Sequence, residues 1–186
     1  MNGFTIDLSQ GSSDHNGKLE TYNVAASHAT LLAIGDVVTI TGTATAADGV
    51  AEADAAEQDA PVTGVVAGFE PTFVGEALSQ TGLAALTAGK ARCHIDPNLN
   101  FIVPVSGGNL AAADVGLNAD ADVTAATKSG GLVVSNMALD STTKAATATL
   151  QFRIVGIAAN ESGEFDGSFA RVRFNNSTLS TGSAGV

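Results

Sequence analysis

Tryptophan is absent from this chain, and tyrosine and cysteine occur once each. A single cysteine forms no internal disulfide, and no paired Cys/His spacing offers a zinc site, so a disulfide-stapled scaffold and a zinc module are both excluded. Basic residues are also scarce: 8 Lys and Arg stand against 19 Asp and Glu, a formal net charge of -11. No lysine or arginine occurs between Lys18 and Lys90, a stretch that holds Asp36, Asp48, Glu52, Asp54, Glu57, Asp59, Glu70 and Glu76. Nucleic-acid binding needs cations against phosphates, so no nucleic-acid partner and no anionic membrane is expected. Long apolar runs are missing; the patches at residues 29–34 and 65–69 fall far short of the roughly 20 residues of a membrane helix. The opening residues Met1-Asn2-Gly3-Phe4-Thr5 lack the basic and apolar regions of a secretory signal, so a soluble protein made in the cytoplasm is expected.

What remains is a chain of 186 residues, ample for one core, written mainly in alanine, valine, glycine and threonine. Its apolar runs are short, β-branched and bounded by turn residues, the pattern of strands. Such runs lie at residues 36–42, 61–69, 90–95 and 99–105, the last with Pro104, which suits an edge strand. The clearest pair is near the C-terminus. Residues 148–157 place Leu150, Phe152 and Ile154 opposite Gln151, Arg153 and Val155, and residues 168–174 place Ala170, Val172 and Phe174 opposite Arg171 and Arg173. With a polar linker over 158–167, they read as an antiparallel hairpin with a long loop. Residues 44–60 read as strand and loop, and residues 75–86 as one or two helical turns weakened by Gly82. The fold class is therefore all-β, an antiparallel β-barrel or β-sandwich over residues 18–174. Extended polar arms precede it (1–17) and follow it (175–186), either frayed or gripping neighbours.

Catalytic signatures are weak. Cys93 and His94 invite a thiolate and base pairing, but neighbours on a strand face opposite ways, so Cys93 joins Ala91 and Ile95 in a core while His94 joins Arg92. His15, His28 and His94 share no metal-binding spacing. Asn118-Ala119-Asp120-Ala121-Asp122 alternates like a calcium loop, but Val123 stands where glycine belongs and Ser129 where the bidentate glutamate belongs. The glycines form neither a P-loop nor a dinucleotide turn. No catalytic residue, cofactor or metal is expected, and binding is the expected mode of action. The sequons at Asn160 and Asn176 carry little meaning without a secretory signal.

One ordered series of segments is more distinctive: ARCHIDPNLNF at 91–101, GNLAAADVGLNAD at 108–120, ALDS at 138–141, TATLQFRIVG at 147–156 and ARVRFN at 170–175. With GDVVTITGTA at 35–44 and PVTGVVAGF at 61–69 upstream, it resembles a family of tailed-bacteriophage virion structural proteins, the head decoration or cement proteins. The resemblance implies a structural protein on the capsid exterior, assembled in the host cytoplasm, that binds the major capsid protein and itself as a homotrimer or homodimer. A virion module that binds glycans or receptors is the alternative. The β-face arginines Arg153, Arg171 and Arg173 are the candidate interface residues, with sheet-surface charge as their plainer role.

Overall fold

A computed structural model describes residues 2–7, 19–45, 47–70, 72–74, 77–79, 81–179, 182 and 185, and the backbone alone at 72–74 and 77–79. The first strands are β1 (Thr5–Ile6), β2 (Glu20–Val24), β3 (Leu32–Ala33), β4 (Val37–Ala44), β5 (Ala51–Ala55) and β6 (Gly64–Phe69). They are followed by β7 (Thr72–Val74), β8 (Ala77–Ser79), β9 (Gly82–Leu83), β10 (Gly89–His94) and β11 (Asn100–Ser106). A single 3-10 turn at Ala112–Asp114 precedes β12 (Asn118–Ala119), β13 (Ala121–Asp122), β14 (Thr127–Ser129), β15 (Leu132–Val134), β16 (Ala138–Asp140), β17 (Phe152–Ala158) and β18 (Phe169–Phe174). The chain is thus nearly all β. Where helical turns were expected over residues 75–86, the described backbone forms β8 and β9 instead. Gly82 explains part of this, since a Cβ there would run into the Leu32 carbonyl and Val133 at 2.6 Å, a closeness that a strand pairing exploits.

The described residues form two barrel-like sheets and three two-stranded ones, β3–β9, β7–β8 and β14–β15. In the first barrel, β10, β2, β5, β4 and β6 close on one another around Tyr22, Val24, Val38, Ala53, Val66, Phe69, Ala91 and Cys93. In the second, the order is β12-β17-β18-β11-β16-β13, with β1 added to β11. Its two outermost strands, β12 and β13, are separated only by Asp120, so a single segment pairs with β17 through its first half and with β16 through its second. That bend nearly closes the second sheet. The β17–β18 pairing is antiparallel, with Arg153 opposite Arg173 and Ile154 opposite Val172. Among the described strands two pairings are parallel, β2 with β5 and β11 with β16, which alternation along a strand does not specify.

Strand β11 is interior rather than an edge, flanked by β18 on one side and by β1 and β16 on the other. Pro104 is tolerated because it falls between the residues that pair with β1 (Phe101 and Ile102) and those that pair with β16 (Val105 and Ser106). A missing N–H there removes no ladder bond.

Aromatic packing anchors the second barrel. Phe4 stacks on Phe152 with centroids 4.7 Å apart, Phe101 meets Phe174 edge-on at 5.2 Å, and Phe152 lies 5.6 Å from Phe174. Phe4 comes from the polar N-terminal stretch; Thr5 and Ile6 pair along β11, while residues 8–17 lie outside the described residues. Residues 175–179 likewise run beside the first barrel, Thr178 N–H donating to the Val62 carbonyl and Val62 N–H to that of Asn176. On β4 and β6 alternate residues face opposite ways, Val38 and Val66 into the first barrel and Val37 and Val65 away from it, so these last two, with Ala56 and Val62, pack the outside of the first barrel against the aromatic core of the second.

Candidate functional site

The junction between the barrels is polar and buried. Gln151, fully buried, donates through Nε2 to the carbonyls of Glu57 (2.7 Å) and Ala60 (2.8 Å), and its Oε1 accepts from Ala121 N–H at 2.8 Å. Its own N–H donates to Asp120 Oδ1 at 3.0 Å. The other Asp120 oxygen has no hydrogen-bond donor and faces the carboxylates of Asp59 and Asp140. Burial first, and then these neighbours, push the Asp120 carboxyl up to about 6. Asp36, also fully buried, accepts from Ala33 N–H at 2.7 Å, and burial pushes it up to about 6 as well.

These acids do not assemble a metal centre. Among the described residues no group of three or more His, Cys, Asp and Glu is arranged to hold an ion. In the stretch that alternates like a calcium loop, Asn118 donates to the Thr147 carbonyl and Asp122 accepts from Thr124, so those side chains are engaged elsewhere. Cys93 is fully buried, and burial pushes its thiol up to about 12, far from a nucleophile's range. His28 is buried with Nε2 3.0 Å from the Thr87 carbonyl, and His15 lies outside the described residues.

The three interface arginines have separate fates. Arg171 Nε donates to the carboxylate of Asp7, which is almost wholly buried, so this side chain ties the N-terminal segment to the sheet. Arg153 and Arg173 are cross-strand partners and therefore share one face. Arg153 Nε donates to Asn118 Oδ1 at 3.2 Å, while Arg173 is exposed and makes no ion pair or hydrogen bond among the described residues. Strand alternation placed these arginines on a face correctly. That Asp7 claims one of them was invisible, because the partners are 164 residues apart.

Apolar groups on the outside were not visible in the sequence either. Leu86 is 71% exposed and has a left-handed backbone, φ 57°. Ile34, directly after β3, and Leu132, at the start of β15, are also exposed. Strand β15 packs against both β3 and β9, and Val133 N–H donates to Thr81 Oγ1 at the end of that antiparallel pair where Ile34 stands, whereas Leu86, whose N–H donates to the His28 carbonyl, stands at the opposite end. Phe165, in the β17–β18 loop, is likewise 71% exposed. Its flanking residues Glu164 and Asp166 are a signal against a core role. Comparison of the chain with models of protein families, with curated proteins and with solved structures finds no match.

Proposed function

We propose that this chain is a capsid decoration protein, one that binds the outer surface of a tailed-phage head and reinforces the contacts between major capsid protein subunits. The observation that carries this reading is Leu86, an apolar side chain held out into solvent on left-handed backbone. A non-glycine residue in that conformation costs about 1–2 kcal/mol, and strain of this kind is retained where a surface has work to do. Leu86, and at the other end of the β3–β9 pair Ile34 and Leu132, supply exposed apolar contacts for a protein partner. The acidic exterior keeps such a protein soluble in the host cytoplasm until shells are ready. Two barrels packed wall against core and tied at Gln151 suit a part that must resist the outward pressure of packaged DNA. The segments that resemble the decoration family fall largely on β10, β11, the bend at Asp120, and β16 to β18.

The test is co-sedimentation of purified protein with shells of the encoding phage that lack it. Leu86→Asn removes the apolar contact and relieves the backbone, because asparagine tolerates the left-handed region. This variant should melt no lower than the parent and bind shells at least about tenfold more weakly. Parent protein that never binds such shells would overturn the function. Undiminished binding by Leu86→Asn and by the pair Ile34→Asp with Leu132→Asp would overturn the assignment of these contacts.

A further inference from the structure

The β17–β18 hairpin carries opposite chemistry at its two ends. At one end Arg153 and Arg173 stand directly across from each other, and Arg173 has no carboxylate partner among the described residues. Like charges directly across a sheet repel each other, and Arg173 is the exposed member of the pair. At the other end the connecting loop displays Phe165 beside Glu164.

This loop is built, not frayed. Asn160 Oδ1 accepts from the N–H groups of Ser162 and Glu164, both at 2.9 Å, and Asn160 Nδ2 donates to Asp166 at 3.0 Å. Asp166 in turn accepts from Ser168 N–H at 2.9 Å, and Asn109 donates to the Asp166 carbonyl at 3.0 Å. Gly167 allows the close approach that lets its carbonyl accept from Leu110 N–H, because a Cβ there would collide with the Leu110 carbonyl. An aromatic ring on such a backbone enters a contact with little entropy left to lose.

The two ends are chemical complements. Guanidinium groups lie over aromatic faces and take carboxylates in forked pairs. Strands of 7 and 6 residues separate the ends, about 20 Å at the rise of an extended chain. They cannot meet within one molecule, and a net charge of -11 opposes unguided association of copies.

We propose that this protein assembles head to tail, the Phe165 loop of one copy docking on the Arg153 and Arg173 pair of the next, with Glu164 ion-paired to Arg173. A contact between two different patches repeats until a ring closes. The ring forms or fails to form without any shell present, so its fate is independent of the capsid reading. Sedimentation equilibrium of the full chain tests it, using Arg173→Glu, Glu164→Arg, Phe165→Ser and the double charge reversal Arg173→Glu with Glu164→Arg. The parent should sediment as a closed oligomer. Each single variant should weaken association at least about tenfold, and the double reversal should restore it. Loss through misfolding would not be restored by a second reversal. A monomer at every concentration, an oligomer indifferent to Arg173→Glu, or a double variant no better than the singles would overturn the proposal.

Discussion

Acid should stabilise this protein before it harms it. Asp36 and Asp120 are fully buried. Burial holds both carboxyls up at about 6 in the folded chain, against about 3.9 in an unfolded one. The native state therefore binds more protons than the unfolded state between these values, so their stabilising contribution is complete below the unfolded pKa and is lost as pH rises through 6. At about 1.4 kcal/mol per pH unit and group, going from pH 8 to pH 5 adds roughly 1.4 kcal/mol for each, or about 3 kcal/mol together. For a domain of this size that raises Tm by about 6–12 °C. Below about pH 4 the gain is opposed, because Asp48, Asp114 and Asp166 have carboxyls held down by hydrogen bonds from Val50, Lys144 and Ser168 respectively, and protonating them is unfavourable. Thermal melts followed by circular dichroism across this range read the effect. Asp120→Asn, which carries donors toward Asp59, should be more stable than the parent at pH 8 and show a flatter pH profile. A Tm that falls steadily from pH 8 to pH 5, or an Asp120→Asn variant with the parent's slope, would refute the reasoning.

Other outcomes follow from the same structure. Gln151→Ala leaves the Ala121 N–H and the Glu57 and Ala60 carbonyls without their buried partner, and should cost about 3 kcal/mol or more in denaturant unfolding. Asp7→Ala strands the Arg171 guanidinium and should cost about 3 kcal/mol, with amide exchange rising first in residues 3–7. The Cys93 thiol should resist disulfide reagents in the native protein and react at once in denaturant, since it is buried and its pKa is pushed up to about 12.

The sequence was most legible where strands alternate over five residues or more. Phe152 and Ile154 against Arg153, and Ala170 and Val172 against Arg171, fall on the faces that period two assigns them. Two-residue strands such as β3, β9, β12 and β13 leave no period to read, so the closure of the second barrel at Asp120 was hidden. Phe4 sits in a polar stretch, and its place against Phe152 depends on a pairing of β1 with β11 across almost a hundred residues. The faces of the arginines were legible because alternation fixes a face; that Arg153 stands opposite Arg173 was not, because alternation leaves the register open and a bulge at Ile154/Gly156 shifts it. The exposed Leu86 was not, because leucine gives no sign of a left-handed backbone in the way glycine or asparagine does.

The most direct measurement is occupancy of the shell itself: undecorated heads of the encoding phage are titrated with purified protein, sedimented, and tested for rupture under osmotic shock. Saturable binding with rising resistance to rupture is the expected result. Shells that neither take up the protein nor gain strength at any ratio would contradict a decorating role.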